Sequence, residues 1–247
     1  MGSPLDVIDA GLPVGVAACF TTRSGGRSEP PWNALNLAGH VGDEPSRVAT
    51  NRALLAQHLG TSEVSFPEQV HGAQVQIVDA ARTVDLTGAD ALVTAEPGIA
   101  VGVLVADCMP VLLADPGHRV VGAVHAGRRG LAAGVLQATL DAMTGLGADR
   151  ASTYAVIGPA ICGRCYEVPA DMRAAVSVEV PGTASETRSG TPALDLPSGA
   201  VGVLEAAGLA RVVSCGLCTA EDGRLYSYRR DGVTGRFAGV VMLDPDD

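Results

Sequence analysis

Short apolar runs in the middle of the chain limit the fold more than any other feature of the sequence. The longest apolar stretch, residues 98–114, is broken by Asp107 and Pro110. It is too interrupted to cross a membrane as a helix. Runs of about four to eight apolar residues are typical of buried strands, whereas helices need about ten or more. The pattern therefore predicts two buried strands joined by a turn.

Other apolar runs predict further strands, and periodic segments predict helices between them. Strands are predicted at 14–20, 73–78, 100–105, 111–114, 120–125, 154–157 and 237–243. One helix is predicted at 43–59, which begins with acidic residues and Pro45 and ends before Gly60. Others are predicted at 131–143, where apolar residues recur on one helix face, and at 198–207. Residues 181–197, rich in Gly, Thr, Ser and Pro, are predicted as an exposed loop.

The order of these elements indicates the class of fold. Helices and strands alternate without a linker or an internal repeat, which favours one domain spanning residues 1–247. Long strand-rich stretches argue against a purely parallel sheet. We therefore expect a mixed α/β (α+β) fold, in which a single compact domain has mixed β-sheets in the core, flanked by helices in α/β/β/α layers.

The net charge of −10 restricts the partners that the chain can have. A nucleic acid duplex or an anionic membrane would meet repulsion over most of the surface, so neither is expected to bind. The first residues lack the basic and apolar segments of a signal peptide, and we expect a cytoplasmic protein. Six cysteines in such a protein are more typical of metal ligands, catalytic groups or core packing than of disulfides.

Three potential metal ligands, His71, Cys108 and His125, lie beside glycine or proline near the ends of predicted strands. They belong to the segments 68–72 (EQVHG), 106–110 (ADCMP) and 124–127 (VHAG). Imidazole nitrogen and thiolate sulfur together suit zinc, and three ligands with an open fourth position form a catalytic site. The spacing leaves two interpretations open: one shared zinc site, or three separate structural groups.

Two basic segments are candidates for binding an anion. Residues 126–130 (AGRRG) lead into a predicted helix, where backbone N–H groups, the helix dipole and arginine side chains can hold a phosphate. Residues 228–236 (YRRDGVTGR) form a second basic cluster in an acidic chain. Either segment can instead be a turn whose charges face solvent.

Several motifs together resemble one known family. They are 35–37 (LNL), 40–43 (HVGD), 51–52 (NR), 71–72 (HG), 107–110 (DCMP), 125–127 (HAG), 157–161 (IGPAI), 166–168 (YEV) and 227–231 (SYRRD). In this order, from about Phe20 to the C-terminus, they resemble the purine nucleoside phosphorylase family formerly labelled multicopper polyphenol oxidase or laccase-like, also called the peptidoglycan editing factor family.

The resemblance implies a zinc-dependent enzyme with zinc on His71, Cys108 and His125, and copper as an alternative metal. The implied activities are phosphorolysis of adenosine, inosine, guanosine and methylthioadenosine, and deamination of adenosine. The implied partners are a nucleoside and phosphate, bound by a monomer or a small homo-oligomer. Asn36 and Gln69 match polar family positions and are candidates for binding substrate, or are structural hydrogen-bonding residues. Arg129 or Arg230 is the candidate for holding the phosphate. Asp107 and Glu167 are candidate catalytic bases, and Asp107 can instead orient a ligand histidine.

One residue departs from the family pattern, and the number of histidines argues against the older laccase label. Arg128 stands where the family usually has tryptophan, so an aromatic platform is lost or a phosphate contact is gained. The laccase label fits poorly, because several coppers need many histidine ligands and the chain has only five histidines.

Other interpretations of the same residues remain. Cys108 can be the nucleophile and His125 the base of a hydrolase that edits UDP-muramoyl-amino acid precursors of peptidoglycan, or the chain can be a non-catalytic partner protein. The C-x-x-C pairs 162–165 and 215–218 suit a second metal or a disulfide, although reduced packing cysteines are more typical. Cys19, in a predicted strand, is expected in the core.

Overall fold

Two β-sheets packed face to face form the centre of the fold, in a computed structural model that describes residues 5–80 and 86–245. The strands are β1 (Val7–Asp9), β2 (Val16–Thr21), β3 (Val64–Ser65), β4 (Val75–Ile77), β5 (Ala91–Thr94), β6 (Ala100–Val105), β7 (Met109–Asp115), β8 (Val120–Ala126), β9 (Tyr154–Ile157), β10 (Ala184–Glu186), β11 (Pro192–Leu194), β12 (Arg211–Ser214) and β13 (Phe237–Leu243). The helices are α1 (Pro45–Leu59), α2 (Arg128–Ala132), α3 (Val135–Gly145), α4 (Ala170–Glu179), α5 (Leu196–Ala206) and α6 (Tyr228–Asp231).

The strand order shows that both sheets are mixed, as predicted. The first sheet has the order β1-β2-β13-β6-β3, and the second has the order β12-β9-β7-β8-β5-β4. Most neighbours are antiparallel, but β3 runs parallel to β6, β4 to β5, and β12 to β9. β6 and β7 follow each other in the chain but belong to different sheets, so residues 106–108 carry the chain from one sheet to the other.

Apolar side chains fill the space between the two sheets. Phe20 of β2 meets Val103 and Val241 from its own sheet and Leu112 from the second sheet in one buried cluster. The Phe20 ring lies so close to Gly158 that a Cβ added there would be 2.2 Å from a ring carbon. A residue larger than glycine at position 158 would therefore force the sheets apart.

Helices cover the outer faces of the sheets. Leu55 of α1 packs with Leu35 and Leu37 on the first sheet. Side chains of α3, α4 and α5 pack on the second sheet, with Leu136 and Leu204 fully buried among them. The resulting order of helix, sheet, sheet and helices confirms the expected layers and the single compact domain. Within residues 5–80 and 86–245, no helix has the length and apolar character needed to span a bilayer.

Several elements, among them β5, α4 and β12, were not predicted from the sequence. β5 has only four residues, all buried. α4 buries only Val176, so its apolar face is nearly absent from the sequence. β12 is an edge strand with three of its four residues exposed and none buried, held through its parallel pairing with β9.

Two predicted elements differ from the structure in their course. The helix predicted at 131–143 is divided into α2 and α3, because Gly134 has a φ of 83°, outside the helical region. The exposed loop predicted at 181–197 is wrong in part: β10 and β11 pair there as an antiparallel hairpin. Its tip is exposed, but Leu194 and Leu196 are buried in the core on the second sheet, and α5 begins at Leu196.

Candidate metal centre and pocket

Strand register brings the candidate ligands to one edge of the second sheet. β5 and β8 pair Ala91 with Val124, so Asp90 lies beside His125, and the His125 N–H donates to the Asp90 carbonyl at 2.7 Å. β7 and β8 pair Met109 with Ala126, which sets Cys108 next to the end of β8. Residues far apart in the sequence therefore meet at this edge.

The structure brings His71, Cys108 and His125 together in one cluster. Their ligand atoms all lie within 4.8 Å of one another, and the two imidazole rings meet edge to face with centroids 4.7 Å apart. His125 is buried, whereas His71 is exposed. A Cβ added at Gly127 would lie 3.0 Å from Cys108 Sγ and 3.1 Å from His71 Cδ2. The cluster is this tight because glycine leaves room for it.

Asp90, which was not predicted from the sequence, holds two of these groups in place. Its Oδ1 accepts hydrogen bonds from His125 Nδ1 at 2.8 Å and from the His71 N–H at 2.9 Å, while Oδ2 accepts from the Gly72 N–H at 2.6 Å. Burial raises the pKa of Asp90, but hydrogen bonds from His125 and Gly72 outweigh it and lower the pKa overall. A carboxylate on the second nitrogen of a ligand histidine fixes which nitrogen faces the metal. The only signal in the sequence was an acidic residue directly before the apolar run 91–94.

The electrostatics of the cluster favour a thiolate at Cys108. Burial raises the pKa of Cys108, but hydrogen bonds and charge from His125 and His71 lower it to about 6. Burial lowers the pKa of His125, but Asp90 and Cys108 raise it overall. Thiolate is the form of cysteine that binds metals and attacks electrophiles.

The donor set fits zinc. Two imidazole nitrogens and one thiolate sulfur are ligands that zinc prefers, and three protein ligands leave a fourth position for water or substrate. The exposed side of the cluster faces a cavity of about 420 Å³. The residues that line the cavity are His40, Gln69, His71, Leu104, Val105, Ala106, Asp107, Cys108, His125, Arg128, Ile161, Tyr166, Leu196, Tyr228, Arg229 and Arg236.

Three arginines of the two basic segments line the cavity, but Arg129 and Arg230 are not among them. Arg128, Arg229 and Arg236 line it. Within the described residues, the Arg128 side chain has no hydrogen bond or ion pair, and it begins α2 at the cavity wall. Arg129 is exposed and lies off the wall. Adjacent residues of a helix point about 100° apart, so only one of the pair can face the cavity.

Arg230 is a structural residue, contrary to the prediction that it binds phosphate. Its guanidinium forms a bidentate ion pair with Asp231 at 2.7 and 2.8 Å. It also donates to the carbonyls of Thr219 at 2.8 Å and Leu225 at 2.7 Å. These contacts occupy the planar donors, and Arg230 does not line the cavity.

Asn36 and Gln69 have both ends of their amides in use. The fully buried Asn36 donates to Asp43 Oδ2 at 2.9 Å and accepts from the Arg236 N–H at 2.9 Å, away from the cavity. Gln69 lines the cavity but pairs with both backbone groups of Leu104 at 2.8 Å. These contacts favour the structural alternative for Asn36, and Gln69 shapes the wall of the cavity through its pairing with Leu104.

The two candidate bases differ in position. Asp107, with a φ of 97°, accepts hydrogen bonds from Thr219 Oγ1 at 2.6 Å, Ser227 Oγ at 2.7 Å and the Arg229 N–H at 2.7 Å. Its carboxylate therefore joins the turn between the sheets to the 219–229 segment, and Asp90, not Asp107, is the carboxylate that bonds to His125. Glu167 is exposed and does not line the cavity.

Comparison with known proteins gives close relatives over nearly the whole chain. Residues 17–244 match the family described as multi-copper polyphenol oxidoreductase laccase. A protein of Streptomyces griseus named purine nucleoside phosphorylase is 52% identical over 229 residues, covering 91% of this chain and 93% of the relative. One of Mycobacterium tuberculosis with the same name is 45% identical over 226 residues, covering 91% and 90%.

Solved structures agree with these relatives. The chain has a TM-score of 0.88 and 36% identity to a Neisseria meningitidis protein of the DUF152 family, over 98% of this chain and 100% of the other. It has a TM-score of 0.90 and 32% identity to YlmD of Geobacillus stearothermophilus, over 99% and 98%. The family match, the sequence identity and the shared fold agree with the resemblance seen in the motifs. The chain therefore belongs to the family described as multi-copper polyphenol oxidoreductase laccase, whose curated relatives are named purine nucleoside phosphorylases.

Proposed function

We propose that this chain is a zinc-dependent purine nucleoside phosphorylase with adenosine deaminase activity. Its proposed substrates are adenosine, inosine, guanosine and methylthioadenosine. The observation that carries the proposal is the meeting of two imidazoles and a thiolate at a cavity that also holds three arginines. The names of the relatives support purine nucleosides as the substrate class. A volume of about 420 Å³ lies within the usual range for small-molecule sites.

The metal cluster is the part of the site that serves deamination. Zinc held by His71, Cys108 and His125 supplies a Lewis acid that activates water at about neutral pH, and copper is the alternative metal for the same donors. Asp90 keeps His125 in the tautomer whose Nε2 is free to act as a ligand. In deamination the oxygen of water adds to C6 of adenine, the bond from C6 to the amino nitrogen breaks, and the amino group leaves as ammonia after it receives a proton.

His40 is the residue we propose for proton transfer. It lines the cavity outside the metal cluster. Burial lowers the pKa of His40, and the guanidiniums of Arg236 and Arg52 lower it further. A neutral imidazole near pH 7 can accept a proton from water and return it to the leaving group.

Arginines of the cavity serve phosphorolysis. A phosphate oxygen attacks C1′ of the ribose while the bond to the purine breaks, and the purine leaves with the electron pair. Arg128, whose guanidinium has no partner among residues 5–80 and 86–245, is available to the phosphate, and Arg229 and Arg236 line the same cavity. Arg229 already donates to the Glu167 carbonyl at 3.0 Å and lies over the Tyr166 ring at 5.2 Å. We therefore assign the main phosphate contact to Arg128.

A cysteine hydrolase acting on UDP-muramoyl-amino acid precursors is the second candidate. The order Cys108, His125, Asp90 is that of a nucleophile, a base and an orienting carboxylate, which favours it. A cavity of about 420 Å³ favours the smaller nucleoside over a nucleotide sugar that carries an amino acid. We therefore place the hydrolase second.

The test incubates purified zinc-loaded protein with adenosine, with and without phosphate, and separates the products by chromatography. Adenine formed only with phosphate is the result expected of phosphorolysis, and inosine formed under both conditions is the result expected of deamination. Cys108→Ala should lose both activities. Cys215→Ala, at a half-buried cysteine outside the cavity, is the matched control and should keep them.

Two results would contradict the proposal. If zinc-loaded protein forms none of these products but hydrolyses a UDP-muramoyl-amino acid, the second candidate replaces it. If protein stripped by a chelator keeps its full deaminase activity, the proposed role of the metal is wrong. Activity that is lost on chelation and restored by zinc supports the metal site.

A further inference from the structure

A second cluster of potential metal ligands lies outside the pocket. Cys162 and Cys165 belong to the segment between β9 and α4, while Cys218 and Glu221 belong to the segment between β12 and α6. Their four ligand atoms all lie within 4.8 Å of one another. None of the four residues lines the cavity of the first cluster. Two C-x-x-C pairs that are distant in the sequence thus contribute three sulfurs to one point.

The backbone around this cluster holds the sulfurs in place. The Cys165 and Tyr166 N–H groups donate to the Cys162 carbonyl at 2.9 and 3.0 Å, which folds 162–165 into a tight turn. The Cys162 N–H donates to Cys218 Sγ at 3.4 Å. Ala160 and Cys218 form a parallel bridge between the two segments. A folded C-x-x-C turn with an N–H directed at sulfur is an arrangement that suits a thiolate.

Glu221 supplies an oxygen to the same point. Its Oε1 accepts from Cys165 Sγ at 3.3 Å and from Arg188 at 2.6 Å. Within the described residues Oε2 has no hydrogen-bond partner, so it is free to act as a ligand. Arg188 offsets part of the negative charge that several thiolates and a carboxylate would bring together.

Burial disfavours the thiolate form at two of these cysteines, Cys165 and Cys218. Burial raises the pKa of Cys165, and Glu221 and the neighbouring thiols raise it further. Burial also raises the pKa of Cys218; the Cys162 N–H lowers it and the Cys162 thiol raises it, and the overall shift is upward. A divalent cation removes this cost, because it replaces the protons and neutralises the charge of the thiolates.

We propose that Cys162, Cys165, Cys218 and Glu221 bind a structural zinc ion. Four protein ligands, three of them sulfur, close the tetrahedral coordination of zinc, so this site has no open position for a substrate. Cys215, the remaining member of the C-x-x-C pairs, lies outside the cluster, and its N–H donates to the Ile157 carbonyl at 2.9 Å.

The second zinc would hold one wall of the pocket together. One of the joined segments carries Ile161 and Tyr166, which line the cavity. The other carries Thr219 and Ser227, whose hydroxyls donate to Asp107 at 2.6 and 2.7 Å. The ion would thus fix segments that contribute to the site without touching the substrate.

The test counts zinc per chain by elemental analysis of purified, dialysed protein. We expect two zinc ions in the wild type, one in Cys108→Ala, one in Cys165→Ala and none in the double variant. Cys215→Ala, the matched control, should keep two. In Cys108→Ala, cobalt at the remaining site should give the sulfur-to-cobalt absorption of several thiolates, and this measurement leaves the second cluster untouched.

Two results would overturn the proposal. The first is that Cys165→Ala binds as many zinc ions per chain as the wild type and that cobalt-loaded Cys108→Ala shows no thiolate-to-cobalt absorption. The other is a disulfide: denatured but unreduced protein would then show fewer than the six free thiols of the sequence. Because the two clusters share no residue, loss of the ion in Cys165→Ala alone does not bear on the catalytic proposal.

Discussion

Replacing Asp90 with asparagine tests whether the carboxylate sets the metal-binding state of His125. Oδ1 of Asp90 faces His125 Nδ1 and the His71 N–H, and Oδ2 faces the Gly72 N–H. Asparagine has the same shape, but one of its two positions is a donor. If the amide nitrogen faces Gly72, two donors meet and a buried backbone hydrogen bond is lost. If it faces His125, it donates to Nδ1 and puts the proton on Nε2, where it blocks the metal.

The size of the effect follows from these two orientations. Loss of an outer contact to a ligand histidine costs about ten- to a hundredfold in metal affinity, which is about 1.4 to 2.7 kcal/mol. An unsatisfied buried N–H costs about 1 to 3 kcal/mol of stability. For a domain of this size, each kcal/mol shifts the melting temperature by about 2 to 4 °C. Asp90→Asn should therefore stay folded and bind zinc more weakly.

Competition with a chromophoric chelator measures the zinc affinity, and thermal unfolding of the metal-free protein measures the stability. Asp115→Asn is the matched control, because Asp115 is also fully buried and accepts from His118 Nδ1 at 2.8 Å, Ser152 Oγ at 2.8 Å and the Asp149 N–H at 2.8 Å. It should lose stability without losing zinc affinity. Equal loss of affinity in both variants, or wild-type affinity in Asp90→Asn, would refute the reasoning.

Four further changes probe the site and the scaffold. Gly127→Ala places a methyl group 3.0 Å from Cys108 Sγ, which should introduce strain of about 1 to 3 kcal/mol. Chelator competition should then show weaker zinc binding, while the circular dichroism spectrum stays unchanged. Arg128→Ala should raise KM for phosphate about ten- to a hundredfold through the lost charged hydrogen bond, while Arg129→Ala leaves KM unchanged in the same assay. His40→Gln should lower kcat for deamination about 10²- to 10⁴-fold at full zinc content by elemental analysis. Burial raises the pKa of the Asp115 carboxyl, but its hydrogen bonds lower that pKa below 3.8 overall. The contribution of Asp115 to the free energy of unfolding is therefore present above pH 3.8 and lost as the pH falls further. Denaturant titrations should show that the difference in unfolding free energy between wild type and Asp115→Asn becomes smaller below that pH.

The sheets could be predicted where burial is complete. β6, β8 and β13 are continuous apolar runs because both of their faces are covered, and such runs are visible in the sequence. β12 and α4 owe their form to neighbours, since β12 pairs with β9 at an edge and α4 buries one side chain. Pairing partners are a property of the folded chain, and no local pattern carries them.

In the site, too, some residues could be predicted from the sequence and others could not. His71, Cys108 and His125 could be named as candidate ligands from their residue types beside glycine or proline, but only the family resemblance implied that they share one site. Asp90 could not, because its role depends on strand register that places it beside His125. Arg128 and Arg129 could not be told apart, because the direction of each side chain depends on the residue at which α2 begins.

The pocket lies at the boundary between the two sheets, where the chain crosses from β6 to β7. Arg236 immediately precedes β13 of the first sheet, whereas His125 belongs to β8 of the second. The width of the cavity therefore depends on the distance between the two sheets. The Phe20 ring lies between the two sheets: it is in close contact with Gly239 of β13 in its own sheet and with Gly158, directly after β9 of the second sheet. The distance between the sheets therefore depends on this ring. A change of side-chain volume deep in the interior would thus alter turnover at a distance, with every residue of the pocket intact.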